Sequence, residues 1–118
     1  MESIVTKLKE YLAMDSEIEF SEFQDYYNKV LEKLNQDYQE LTEDELLKIR
    51  YVLNTIAVNA ENRWARKDKY VKKYKKMADK TRFWADAIAH KLKKELAYTD
   101  AKLEEADQSI DDELRPQE

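Results

Sequence analysis

The sequence contains no cysteine, no glycine, one proline and one histidine. Without cysteine there can be no disulfide, no thiolate nucleophile and no cysteine metal ligand, so a secreted fold held by disulfides is excluded. Without glycine, few positions suit a positive φ angle or a tight hairpin turn, and 40% of the residues are charged, as is typical of exposed helices. These features predict an almost entirely α-helical protein.

Long apolar runs are also missing. The first residues, MESIVTKLKEYLAM, have an acidic second position and spaced apolar residues, unlike the positive start and apolar run of a signal peptide. Elsewhere no stretch approaches the roughly 20 apolar residues that span a bilayer. We therefore expect a soluble cytoplasmic protein without a membrane partner, and its 118 residues limit it to one domain with a modest core.

The net charge of −5 conceals three segments of different sign. Residues 1–62 carry 6 basic and 14 acidic side chains, residues 63–94 carry 13 and 3, and residues 95–118 carry 2 and 9. The middle of an acidic protein is therefore strongly basic. Such complementarity favours contacts between oppositely charged parts of one chain, of two copies, or of the chain and a partner.

Apolar spacing and capping residues predict how the helices begin. Apolar residues at helical spacing predict a first helix over about residues 2–13. A Ser-x-x-Gln capping box that starts at Ser21, with Phe20 before it as a hydrophobic staple, predicts a second helix over about 22–40. A second capping box over 42–45 predicts the start of a third helix.

After that capping box no strong stop signal appears before about residue 107. A helix of about 62 residues would be about 95 Å long, whereas a compact domain of this size is about 35 Å across. The helix must therefore project and pair with another chain, or break without glycine or proline. Two break points are plausible: 61–69, where the apolar stripe thins, and 78–83, where Thr81 could cap a new helix. A continuous or kinked helix is preferred over a reversal.

The predicted fold is all-α: an elongated helical bundle in which two shorter N-terminal helices pack on one long basic helix, continuous or kinked. The domain covers residues 1–106, and the acidic residues 107–118 are predicted to form a disordered tail. The long apolar stripe also predicts a homodimer of coiled-coil type through residues 46–103. The predicted core consists of Tyr27, Val30, Leu34, Leu53, Ile56, Ile88 and Leu92.

Winding the long helix at 100° per residue places a basic stripe away from its apolar face. Large aromatic residues next to such charge often anchor a partner. The simpler alternative is a solvated face on which lysine stems cover apolar surface. The predicted partner-binding residues are Arg66, Lys69, Lys73, Lys76, Lys80, Phe83, Lys91, Lys94 and Tyr98.

Two binding functions follow from this stripe. In the first, a protein partner is oriented by the charges and held by Phe83, Trp64 and Tyr98. In the second, the cations contact phosphates and the aromatic rings stack on bases. The second lacks a recognisable nucleic-acid motif, and the acidic flanks repel phosphate. A variant of the first has the acidic surface compete with nucleic acid for a basic site on another protein.

Catalysis has little basis in the sequence. His90 is the single histidine, and Asp86 lies four residues earlier on the same predicted helix, a spacing able to orient an imidazole. A four-helix di-metal site requires a second histidine, and a nucleophile, base and acid set would lack cysteine and a second base. We therefore predict no enzymatic activity, no catalytic residue, no metal and no cofactor.

Rich in Lys, Glu and Tyr and free of Gly and Cys, the whole chain resembles small accessory proteins of phages and mobile elements in low-GC bacteria. Some of those proteins inhibit host nucleic-acid machinery, including CRISPR effectors. The resemblance is one of composition and has no specific motif. It implies a regulator or inhibitor that binds a larger intracellular protein or nucleoprotein. The chain is also similar to small helical immunity proteins for bacteriocins, which gives a further alternative.

Overall fold

The computed structural model describes residues 1–67 and 69–116, and over these residues the all-α bundle is confirmed. A 3₁₀ turn (Tyr38–Glu40) separates the second and third of its helices. The α-helices of the described chain are α1 (Glu2–Leu12), α2 (Phe20–Asp37), α3 (Glu43–Ala65), α4 (Val71–Leu96) and α5 (Asp100–Leu114).

α3 is the central helix and packs against each of the other four. α4 runs back along it, since Arg63 bonds Tyr74 close to the turn and Asn54 bonds Arg82 further away. Tyr27 of the predicted core is only half-buried. The other predicted core residues are confirmed as buried: Val30, Leu34, Leu53, Ile56, Ile88 and Leu92.

The continuity predicted for the long helix is wrong, because its residues form α3, α4 and α5. The first break follows Ala65, inside the predicted 61–69 region, of which Asp68 lies outside the described residues. The predicted break at 78–83 is also wrong. Thr81 is buried within α4, and its hydroxyl donates to the Met77 carbonyl at 2.8 Å instead of capping a helix. The longest dimension is 42 Å, so the chain is far less elongated than predicted.

Both reversals use left-handed backbone at residues other than glycine. Lys67 has φ 55° and Ala97 has φ 57°. Such a conformation costs about 1–3 kcal/mol, which the packing of α4 and α5 on α3 must offset. Ala97 and Tyr98 donate their N–H groups to the Leu92 carbonyl, which ends α4. Thr99 then caps α5 by accepting the N–H of Lys102 at 3.1 Å.

We expect Ala97→Gly to raise the free energy of unfolding by about 1 kcal/mol, because glycine adopts a positive φ without a Cβ clash. Urea denaturation measures this change. The matched control is Ala101→Gly, at an exposed helical position of α5, where glycine should cost about 0.5–1 kcal/mol. Equal losses of stability in the two variants would contradict the left-handed turn.

The two predicted capping boxes have different outcomes. The second is confirmed: Glu45 N–H donates to Thr42 Oγ1 at 3.2 Å, and Thr42 N–H donates to Glu45 Oε1 at 3.1 Å. The first is wrong, because α2 begins at Phe20 and Ser21 lies inside its first turn. The Phe20 ring stacks on that of Tyr70, with centroids 3.9 Å apart. Phe20 is thus the first residue of α2 and not a staple before it.

The disordered tail predicted for residues 107–118 is wrong for residues 107–114, which are helical and belong to α5. Residues 117 and 118 of that predicted tail lie outside the described part. Ile110 and Leu114 are buried, with 8% and 4% of their surface exposed. Nearby acids bond to α3: both Asp107 carboxylate oxygens accept from an Arg50 NH group at 2.9 Å. An amphipathic helix thus extends the domain beyond residue 106.

Candidate functional site

The structure places the predicted partner-binding residues on α4 and in the turns at its two ends. Arg66 and Lys69 lie in the turn before α4, and Tyr98 lies in the turn after it. The remaining residues lie on α4 itself: Lys73, Lys76, Lys80, Phe83, Lys91 and Lys94. By their contacts these residues form three groups: one at the start of α4, one at its end and one on its outer surface.

The first group holds the turn between α3 and α4. Arg66 forms an ion pair with Glu17 at 2.8 Å, and this hydrogen bond lowers the pKa of the Glu17 carboxyl. The ammonium groups of Lys69 and Lys73 lie 5.0 and 5.8 Å from the centroid of the Tyr70 ring. These three cations are exposed, but each has a contact within the chain.

The second group secures the other end of α4. Lys91 is half-buried, with its ammonium 4.9 Å from the centroid of the Tyr38 ring and 3.9 Å from the Glu95 carboxylate. The Tyr98 hydroxyl donates to Glu43 at 3.2 Å. Burial and this hydrogen bond raise the pKa of Tyr98 above its ordinary value. The observed contacts of Lys91 and Tyr98 are therefore with residues of the bundle itself.

The third group forms the outer surface of α4, opposite its buried side. At 100° per residue, Lys72, Lys76, Lys80, Phe83, His90 and Lys94 fall within about 80° of one another. We call these six residues the Phe83 face; all of them are exposed. This face contains four of the predicted partner-binding residues and adds Lys72 and His90 to them.

Phe83 is the central feature of this face. With 64% of its surface exposed, it is the most exposed large hydrophobic residue in the described chain. Burying a phenylalanine side chain stabilises by about 1.5–3 kcal/mol, and here that stabilisation is largely unused. Lys76, Asp79 and Lys80 border a shallow depression beside the ring.

Most lysines of the Phe83 face stand apart from the acidic side chains that the structure describes. Among residues 1–67 and 69–116, the α4 lysines in ion pairs are Lys75, Lys91 and Lys93. Asp79, which borders the depression beside Phe83, pairs with Lys75 at 3.2 Å. The four lysines of the face, Lys72, Lys76, Lys80 and Lys94, form no ion pair within the described chain.

Opposite charge is concentrated on another helix. α4 carries nine basic and three acidic side chains, whereas α5 carries seven acidic and one basic. α5 packs against α3 and α1, and its Asp107 and Asp111 bond to α3. The basic and acidic surfaces are therefore separate candidates for partner contact.

Trp64 and His90 contribute less to a candidate site. Trp64 is exposed, with the Lys75 ammonium 5.5 Å from its ring. His90 and Asp86 are both exposed on α4. In the part of the chain that the structure describes, no three His, Asp or Glu side chains come close enough together to hold a metal ion. The absence of a cofactor and of enzymatic activity stays a prediction.

Sequence reasoning missed Arg63 as an individual residue. It was assigned to the basic middle of the chain, yet it is buried beside α2 and α4. The pattern that could have identified it is its spacing of three and seven residues from Ala60 and Ile56, both buried. A basic residue on that apolar stripe predicts a buried cation.

Comparison of the chain with protein-family models, with curated protein sequences and with solved structures gives no match. Within the described residues, no helix is long and apolar enough to cross a membrane. The function must therefore be inferred from the surface of the bundle itself.

Proposed function

We propose that this protein is a small non-enzymatic interaction protein that binds an acidic surface of a larger protein or nucleoprotein through the Phe83 face. The observation that carries the proposal is the exposed Phe83 ring among four lysines that form no ion pair with any residue the structure describes. The ring would fill an apolar pocket of the partner and supply most of the affinity. The lysines would face carboxylates, orient the encounter and raise its rate.

The proposed role is regulation or inhibition of a host defence or nucleic-acid-processing complex. Support comes from the compositional resemblance to phage and mobile-element accessory proteins. It also comes from the small size of the bundle and from the Phe83 face that it presents. A bundle of this kind acts by occupying a site on its target. In a bacteriocin-immunity role, the same face would bind a toxin.

Direct nucleic-acid binding is the second candidate, and it is favoured by the same four lysines, which have no ion pair in the described part of the chain. Four cations on one helix face could contact phosphates along one side of a duplex. Arg66, Lys69 and Lys91 have contacts within the chain, however, and the acidic α5 would repel a long polyanion. The protein-binding proposal is therefore preferred.

We expect Phe83→Ala to weaken binding of a captured partner by about 1–3 kcal/mol, or about 5- to 150-fold in Kd. The partner is first captured from lysate of a candidate host and identified by mass spectrometry, and Kd is then measured with the purified components. The melting temperature should hardly change, because Phe83 is exposed.

Val58→Ala is the matched control, since Val58 is also an exposed hydrophobic residue but lies on α3. It should leave the affinity unchanged. Replacing Lys72, Lys76 and Lys80 together by Gln should slow association and leave the melting temperature unchanged. If the Phe83→Ala variant and the lysine variant both capture the partner as well as the unchanged protein does, the Phe83 face is not the binding site.

Salt separates the two candidates. Binding to nucleic acid should weaken steeply as salt rises, with a slope that shrinks by about one for each phosphate-contacting lysine removed. A protein interface anchored by Phe83 should depend on salt more weakly, mainly through its association rate. Tight and strongly salt-dependent binding to plain duplex or single-stranded nucleic acid would favour the second candidate.

The homodimer stays a prediction with a weaker basis. It rested on an apolar stripe along one long helix, and much of that stripe is buried within a single chain, as for Ile56, Tyr74 and Ile88. A different protein is therefore the proposed partner. Light scattering at tens of micromolar would reveal a dimer, which would compete for the same face if it buried Phe83.

A further inference from the structure

A cavity of about 290 Å³ lies between α1, the connection from α1 to α2, α2 and α3. Its volume corresponds to about ten water molecules at ~30 Å³ each, close to the lower end of small-molecule pockets at roughly 300 Å³. The walls are mainly apolar and include Leu8, Leu12, Phe23 and Ile56. Exposed residues such as Ser16 form the rim.

Arg63 lines this cavity, although only 5% of its surface is exposed. Its guanidinium carbon lies 4.5 Å from the centroid of the Phe23 ring and 5.5 Å from that of Tyr74. One NH group donates to the Tyr74 hydroxyl at 3.1 Å, and the other donates to the Ile18 carbonyl at 2.9 Å. The Nε–H has no hydrogen-bond partner in the described chain.

The charge of Arg63 also lacks a direct counterion. Among residues 1–67 and 69–116, no carboxylate lies within 4.0 Å of its guanidinium. Glu17 and Asp15 also line the cavity. Glu17 bonds to Arg66 at 2.8 Å, and this hydrogen bond, followed by the charge of Arg63, lowers the pKa of the Glu17 carboxyl. A buried cation is costly unless it is paired and hydrogen-bonded. The two rings offset part of that cost by cation–π attraction.

A guanidinium has five N–H donors, and the bonds to Tyr74 and Ile18 use one on each terminal nitrogen. The Nε–H is closed to solvent, so a ligand in the cavity would reach the remaining terminal N–H groups.

We propose that this cavity binds a small aromatic or aliphatic monocarboxylate, with its apolar part against the cavity walls and its carboxylate on the Arg63 guanidinium. Arginine is suited to this role because its planar fork matches the two oxygens of a carboxylate. A single guanidinium matches one negative charge, and the carboxylates of Asp15 and Glu17 in the lining disfavour polyanions. The cavity is lined by α1, α2 and α3 and does not include the Phe83 face, so this inference is independent of the proposed function.

The test uses the full ¹⁵N-labelled chain with 4-phenylbutyrate and its neutral amide, 4-phenylbutanamide. We expect the acid to shift the Nε–H resonance of Arg63 in a saturable manner and to raise the melting temperature, because it binds only the folded state. The amide should bind about tenfold more weakly or worse, since it forfeits the charge-assisted hydrogen bond.

Arg63→Met removes the guanidinium but keeps an unbranched stem, and it should abolish the preference for the acid. Because Arg63 is buried and its loss could disturb folding, Ser16→Trp is the second variant: it blocks the exposed rim, leaves Arg63 in place and should abolish binding. Lys29→Met removes an exposed cation of α2 that does not line the cavity and should leave binding unchanged.

Three results would each overturn the proposal. The first is no shift of the Arg63 resonance at about 10 mM acid, a concentration at which even millimolar affinity is detectable. The second is equal binding of acid and amide. The third is undiminished binding in a folded Ser16→Trp variant.

Discussion

Removing residues 107–118 is expected to lower the free energy of unfolding by about 4 kcal/mol or more. Two buried side chains, Ile110 and Leu114, account for about 1.5–3 kcal/mol each. The deletion also removes the Asp107 partner of Arg50 and the Asp111 partner of the Tyr51 hydroxyl. Urea denaturation followed by circular dichroism would measure the loss.

Paired substitutions in the full chain separate burial from chain length. Ile110→Asn with Leu114→Asn should cost nearly as much as the deletion, because the polar side chains lose the apolar burial against the core. Gln108→Asn with Glu113→Asn lowers helix propensity similarly at exposed positions of α5 and should cost less than about 1 kcal/mol. A deletion with unchanged stability would restore the disordered-tail interpretation.

The tail shows why local composition was insufficient. Ile110 and Leu114 stand among acids, and that composition resembles a solvated, disordered segment. Their spacing from Leu103, however, continues one helical stripe. The groups that stabilise the acids, Arg50 and Tyr51, are nearly sixty residues away in the chain. Only the tertiary contact explains why the segment folds.

Some helix ends could likewise be predicted from the sequence, and others could not. The capping box at Thr42 could be predicted, because cap and partner are three residues apart and their bonds are local. The turns at Lys67 and Ala97 could not, because neither residue type favours a positive φ. The packing of α4 and α5 on α3 imposes those conformations. Thr81 is the converse case: a good capping residue that lies buried within a helix.

The candidate site was partly predictable for a related reason. Phe83, Lys76 and Lys80 lie on one helix, so a fixed angle per residue places them correctly on its outer surface. Arg66 and Tyr98 share the basic stripe with them only if a single long helix covers all these residues. Once the helix breaks on both sides of α4, their contacts are with distant residues that no helical projection could identify.

Raising the pH from about 9 to about 12 is expected to destabilise the protein by several kcal/mol. Six tyrosines have a pKa above the ordinary value of about 10, and burial is the largest cause of the increase in each of them. They are Tyr11, Tyr26, Tyr27, Tyr38, Tyr51 and Tyr98. A raised folded-state pKa means that the neutral form stabilises the fold. That stability is complete below pH 10 and is lost as the pH rises.

Tyr51 gives the effect a defined range. Burial first, and then its hydrogen bond to Asp111, raise the pKa of Tyr51 to about 12. Its hydroxyl lies 2.6 Å from that carboxylate, so ionisation would set two negative charges against each other. After allowance for solvent screening, this residue alone should contribute about 1–2 kcal/mol that disappears between about pH 10 and pH 12. Tyr26, buried with its hydroxyl on the Ile4 carbonyl, should add to the loss.

The measurement is the urea midpoint as a function of pH, together with the ultraviolet absorbance of tyrosinate. Tyr51→Phe should cost about 1 kcal/mol near neutral pH, through the lost hydrogen bond, and should flatten the loss above pH 10. Tyr98→Phe removes a more exposed hydroxyl and should change both quantities less. If all tyrosines ionise near pH 10 while the helices remain intact and equally stable, burial of these hydroxyls does not stabilise the bundle as the structure requires.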